Sequence, residues 1–164
     1  MSRSELGEAA LNGDLERLQQ LIAQGALLDG SDGELYNDDT PGCVRGAPYY
    51  RPLGEAARMN HPECVRALLA AGAGLEEQNY TGETALIQAV RQDAIDCVKI
   101  LLDAGADVHH VACLGTALAA TQPGYYPNAI EIARLLIERG ASPTTTASYA
   151  RSALERWKDQ IPTR

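Results

Sequence analysis

The sequence predicts an all-α solenoid, in which short helix pairs stack side by side. Three observations lead there. The phrase CVRALLAAGA at 64–73 returns as CVKILLDAGA at 97–106, thirty-three positions later, with seven of ten letters unchanged. The segment LGEAA stands at 6–10 and again at 53–57. A Gly-Ala pair closes each phrase, at Gly25-Ala26, Gly72-Ala73, Gly105-Ala106 and Gly140-Ala141. A fixed period of this length marks stacked supersecondary units, each too small to bury its own apolar face.

Each element of the unit has a local reason. Ser4, Thr84, Thr116 and Ser152 stand just ahead of an apolar stretch, where a hydroxyl can cap the free N–H groups of a helix start. Arg51 takes that place in the second unit. The first helix then carries small residues, Ala9-Ala10, Ala56-Ala57 and Ala89, which let neighbouring helices approach. A short turn follows, Asn12-Gly13-Asp14 or Asn60-His61-Pro62. The second helix places apolar residues at helical spacing: Leu15, Leu18, Leu21 and Ile22; Val65, Leu68 and Leu69; Ile95, Val98, Leu101 and Leu102; Ile132, Leu135 and Leu136. Gly25, Gly72, Gly105 and Gly140 stop it, because glycine enters the left-handed conformation without penalty.

RPLGEAARMNHPECVRALLAAGA and TALIQAVRQDAIDCVKILLDAGADV resemble the ankyrin repeat, in register over about residues 4–157. The resemblance implies an ankyrin-repeat α-solenoid with projecting hairpin fingers, one domain over 1–164. Its repeats fall at about 4–28, 51–78, 84–110 and 116–143, with a truncated C-terminal cap at 152–160. The chain departs from the family's TPLH start: Gly7, Gly54, Ile87, Ala119 and Glu155 stand where the His would be. Trp157 occupies a place where an internal repeat holds a small Ala, and so reads as a lid on the last unit.

Two stretches break the period. From Gly25 to Pro52 is 27 residues against 13 from Gly72 to Ala85, so about fourteen extra residues form a long loop over 29–50. It is rich in Gly, Pro, Asp and Asn, and holds Asp29, Asp32, Glu34, Asp38 and Asp39 before its first basic residue, Arg45. In the fourth unit QPGYYPN separates the two helices, and Tyr125 and Tyr126 are expected to pack locally.

Composition excludes several functions. The 164 residues include no Phe and one Trp, so the core must be aliphatic. No run approaches the roughly 20 apolar residues of a membrane span, and residues 1–10 hold no stretch suited to a secretory signal. A cytoplasmic location is therefore expected, with no membrane partner. A net charge of −8 and the lack of a Lys/Arg cluster argue against nucleic acid. Cys43, Cys64, Cys97 and Cys113 form no CxxC pair and read as reduced thiols, Cys64 and Cys97 in the core. Asp29 to Glu34 fails as a calcium loop, since its sixth position is Glu rather than Gly. His109 and His110 read as a polar finger tip, and His61 as structural. No catalytic motif is present, so neither an enzyme nor a cofactor is expected.

The function that the resemblance implies is a non-catalytic protein–protein interaction module using its concave face and fingers. Family positions that vary place its contacts at Tyr49, Tyr50, Glu55, Arg58 and Met59; at Tyr80, Thr81, Glu83, Gln88, Arg91 and Gln92; and at His110, Cys113, Leu114 and Tyr149. The acidic loop implies a partner protein with a basic patch, bound by a monomer. The alternative is a small inhibitor or immunity protein whose acidic finger covers the active site of a basic-patched enzyme.

Overall fold

Each apolar phrase becomes a pair of short helices, because its leucines line up at helical spacing and its small residues break the run. The computed structural model describes residues 3–37, 43–113, 115–121 and 125–142. Trp157, Ser152 and the expected cap at 152–160 lie outside the described residues, as do Asp38, Asp39, Leu114 and Tyr149. The helices are α1 Glu5–Asn12, α2 Leu15–Ala23, α3 Pro52–Arg58, α4 Pro62–Ala70, α5 Ala85–Arg91 and α6 Ile95–Asp103. After a minimal hairpin of β1 Val111–Ala112 and β2 Gly115–Thr116 come α7 Ala117–Ala120 and α8 Ala129–Glu138. First helices pack on first helices, α1 on α3, α3 on α5 and α5 on α7; second helices form a parallel row, α2 on α4, α4 on α6 and α6 on α8. The chain is a helical solenoid.

The core repeats with the sequence. Leu6, Leu53, Leu86 and Leu118 are buried in the first row, and Leu21, Leu68, Leu101 and Leu136 in the second. Ala10, Ala56, Ala57 and Ala89 are fully buried, which is what brings the first helices together. The four closing glycines, at 25, 72, 105 and 140, all take left-handed φ, from 84° to 96°. The inter-helix turn asks for the same conformation from Gly13, Asn60 and Asp93, and Asn and Asp tolerate it better than other side-chain-bearing residues.

Those turns also join neighbouring units. The His61 ring nitrogen Nε2 lies 3.1 Å from the Leu11 carbonyl, the Cys97 N–H donates to Asn60 Oδ1 at 3.4 Å, and the Asn128 N–H donates to Asp93 Oδ2 at 3.1 Å. His61 is structural, as its position suggested. The cap expectation holds at two of the three sites among the described residues. Ser4 accepts from the Gly7 N–H at 3.0 Å and Thr116 from the Ala119 N–H at 3.3 Å. Thr84 has the extended backbone of a cap but makes no cap bond; its hydroxyl is turned into the packed interior and has no partner. Of the two tyrosines expected to pack locally, Tyr126 rests on the core, and Tyr125, though 80% exposed, meets the Tyr126 ring edge-on at 5.7 Å.

Three outcomes follow. Leu101→Ala should lower unfolding free energy by about 2–5 kcal/mol, read from the shift of the urea midpoint, since the methyl groups removed are wholly buried. Ser4→Ala should cost about 1 kcal/mol for the lost cap. Thr84→Val should be neutral or stabilising, because it removes a buried hydroxyl that pairs with nothing.

Candidate functional site

The inserted loop is a finger, built by pairing its own ends. Leu35 and Pro48 form an antiparallel bridge, the Tyr36 N–H donates to the Ala47 carbonyl at 2.9 Å, and the Gly46 N–H donates to the Tyr36 carbonyl at 2.7 Å. The finger then leans on the next one: the Val44 N–H donates to the Tyr80 carbonyl at 2.7 Å and the Tyr80 N–H to the Pro48 carbonyl at 3.2 Å. A ring cluster fills the joint. Tyr36, buried, stacks on Tyr80 at 5.2 Å and meets Tyr49 edge-on at 5.6 Å; Tyr49 and Tyr80 are 4.8 Å apart. Such pairs are favourable beyond the area they bury.

The next finger is organised by Asn79. Its buried Oδ1 accepts from the Thr81 N–H at 3.0 Å, the Thr81 hydroxyl at 2.8 Å and the Glu83 N–H at 2.9 Å. Arg51, which stands where other units have a capping hydroxyl, instead spans the fingers. Its Nε donates to the Gln78 carbonyl at 2.8 Å, and its Nη1 donates to the Asp29 carbonyl at 2.9 Å and pairs with Glu77. Burial would push the Asp29 carboxyl up, but hydrogen bonds from Ser31 and the nearby Arg51 charge hold it below the usual carboxylate range. Asp29 is thus engaged within its own turn.

Beside the fingers, the first helix α3 and the segment leading into α5 carry buried carboxylates that must be paired. Glu55 on α3 is 2% exposed and is clamped from two sides. Arg3 donates Nε to Oε2 at 2.8 Å, while Arg58 donates Nε to Oε1 at 2.7 Å and Nη2 to Oε2 at 2.9 Å. The hydrogen bonds to Glu55 push the Arg58 guanidinium further up from its ordinary value, against the effect of burial. Arg3 also lies over the Tyr50 ring, 3.8 Å from its centroid, a cation–π contact. Glu83 is buried and paired with Arg91 of α5. Gln88 occupies the space above Gly54; a Cβ on Gly54 would meet its amide nitrogen at 2.6 Å. The glycine at the family's His position therefore makes room for a polar side chain from the next unit.

These groups enclose one groove of about 330 Å³, lined by Tyr49, Tyr50, Glu55, Arg58, Asn79, Tyr80, Thr81, Glu83, Gln88, Arg91 and Gln92. Ten of the residues singled out from the sequence therefore meet in one place. Met59 lies next to the groove, exposed, with its sulfur 3.5 Å from Arg58 Nη1. His110 is elsewhere: half-buried, its Nε2 lies 2.8 Å from the Gly82 carbonyl, so it ties two fingers together. Cys113 is exposed in the β1–β2 turn. A larger depression of about 590 Å³ touches Val44, Arg51, Glu76 and Glu77, but it opens among finger backbone and the Arg51–Glu77 pair.

Arg3, Tyr36 and Asn79 were not singled out. Asn79-Tyr80-Thr81-Gly82 carries a turn signal that could have found Asn79. Leu35-Tyr36, an apolar pair in an acidic run, was a weak sign of an anchored finger. Arg3 gave no signal, because its partner is 52 residues away.

The family model of ankyrin repeats, in three copies, matches residues 6–112, well over half of the chain. The chain belongs to the ankyrin-repeat family. Ankyrin repeats are generally protein–protein interaction modules. A search among curated proteins found no match to the sequence. Among the described residues no helix is long and apolar enough to cross a membrane, and no group of three or more His, Cys, Asp or Glu is placed to hold a metal ion.

The clamp sets a stability expectation. Glu55→Ala should cost about 3–5 kcal/mol, because two partly buried guanidinium groups lose their shared counter-charge. Glu63→Ala, which breaks an exposed pair with Arg66, should change stability by less than about 1 kcal/mol. Chemical denaturation of both variants checks the contrast.

Proposed function

We propose that this ankyrin-repeat chain is a non-catalytic binding module that seats a segment of another protein in the groove walled by Tyr49, Tyr50 and Tyr80. The observation that carries the reading is the pre-organised floor. Two carboxylates and three guanidinium groups are already paired there, with tyrosine rings and amide side chains around them. Rings held by their neighbours lose little entropy on binding, and aromatic and Arg side chains supply most hot spots of protein interfaces. Neither His nor Cys lines the groove, and both of its carboxylates are held by arginines, which suits recognition rather than proton transfer.

Charge favours a partner with a basic patch. The chain carries −8 overall, and Asp32 and Glu34 are exposed on the inserted finger beside the groove. A field of that sign steers cationic surfaces inward and fades with salt.

The structure also guides the choice of variant. Tyr49, Tyr80 and Arg58 hold the finger and the clamp, so their removal would confuse folding with binding. Gln92 and Met59 are exposed at or beside the groove, so Met59→Arg with Gln92→Arg obstructs it while sparing the core. The protein is used to capture partners from lysate, and each one identified is purified and titrated against both forms. The expected result is affinity weakened roughly tenfold or more in the variant, an unchanged thermal midpoint, and a wild-type association rate that falls with salt. Equal affinities would move the contact surface away from the groove.

A further inference from the structure

Two of the four thiols are not core residues. Cys64 and Cys97 are buried among the second helices, where burial pushes the Cys64 thiol up and the Cys97 thiol up to about 12, so both stay protonated and inert. Cys43 is half-buried on the inserted finger and Cys113 is exposed on the β1–β2 turn, seventy positions on. The fold brings them together around the Tyr80–Gly82 turn. From one side the Val44 N–H donates to the Tyr80 carbonyl at 2.7 Å; from the other the Cys113 N–H donates to the Thr81 carbonyl at 3.4 Å. Gly82 closes the gap between them: a Cβ placed on it would lie 3.8 Å from Ala112 Cα and 3.9 Å from Val44 Cγ2. Cys43, next to Val44, and Cys113, next to Ala112, therefore flank the same turn.

We propose that Cys43 and Cys113 form a reversible redox site, which a hydroperoxide oxidises to an intramolecular disulfide clasping the inserted finger to the β1–β2 hairpin across the Tyr80–Gly82 turn. The chemistry balances in two steps. One thiolate attacks the peroxide, the O–O bond breaks, and a sulfenic acid and one water (or alcohol) form. The second thiol attacks the sulfenic sulfur, the S–O bond breaks, a second water leaves, and the S–S bond forms. Two thiols give up two electrons and two protons to one hydroperoxide. Burial and the neighbouring Cys43 sulfur push the Cys113 thiol up, so the thiolate is scarce at neutral pH and the reaction quickens as pH rises. A disulfide needs Cα atoms within about 7 Å of each other, and two loops hydrogen-bonded to the same three-residue turn can settle into that range. The bond would fix the finger edge of the tyrosine-lined groove. Its formation does not depend on what the groove binds.

The test treats the full chain with hydrogen peroxide at neutral pH and at about pH 9, blocks remaining thiols by alkylation, and digests with trypsin without reductant. Cleavage after Lys and Arg leaves the four cysteines in four separate peptides, 18–45, 59–66, 92–99 and 100–134, so every pairing has its own mass. The expected product is 18–45 joined to 100–134. It should vanish on reduction and be missing from Cys43→Ser and Cys113→Ser. It should also form within single chains when isotopically heavy and light protein are oxidised together. Linked protein should melt several degrees above the reduced form, since the bond closes a long loop of the unfolded chain. The proposal is overturned if either thiol goes to sulfinic acid with no linked peptide, if another pairing predominates, if the link joins heavy to light chains, or if none forms at either pH.

Discussion

The close approach of the first helices is the constraint on which the rest of the molecule depends. Ala10, Ala56, Ala57 and Ala89 are fully buried on α1, α3 and α5, which pack on one another, and their small side chains let the row close into a continuous outer face. A single helix pair has no interior of its own. Leu53, Val65 and Leu68 are buried because units stand on both sides of them, as nearest-neighbour stacking requires. The same packing gathers polar side chains from three units onto one surface. Arg3 precedes α1, Glu55 lies in α3 and Gln88 in α5, yet Arg3 bonds to Glu55 and Gln88 covers Gly54.

Crowding of that kind would be costly if the charges were left alone. A carboxylate as buried as Glu55 persists because three charge-assisted hydrogen bonds replace the water it lost. The floor of the groove is therefore rigid for an electrostatic reason, and its walls for an aromatic one. Tyr36 is the residue that turns the inserted loop from an appendage into a wall. Buried against Tyr49 and Tyr80, it gives the acidic stretch an apolar anchor, and the backbone bonds to Ala47 and Gly46 set the finger's register. Lengthening a loop costs little entropy, but here the added length is tied down at both ends.

Much of this was legible in the residues. Period, Gly-Ala stops and leucine spacing state the solenoid directly, since each is a local requirement of a helix or its end. The groove was legible at the level of which positions face it: ten of the chosen residues line it because first-helix and finger positions recur in register. What failed did so for non-local reasons. Thr84 carries the same cap signature as Ser4, and only the packing around it turned its hydroxyl away from the helix start. His110 looked like a finger tip until the neighbouring Gly82 carbonyl gave it a partner.

By itself the sequence determined the repeated helix pair, the place of every closing glycine and the family, because those follow from forces acting within a few residues of the chain. Only the tertiary structure decided that Arg3 would neutralise Glu55, that Tyr36 would join Tyr80, and that Cys43 and Cys113 would flank one turn. Their separations of 52, 44 and 70 residues carry no local signal. Contacts of that range exist once stacking has brought the units together, and a chain read residue by residue has no term for them.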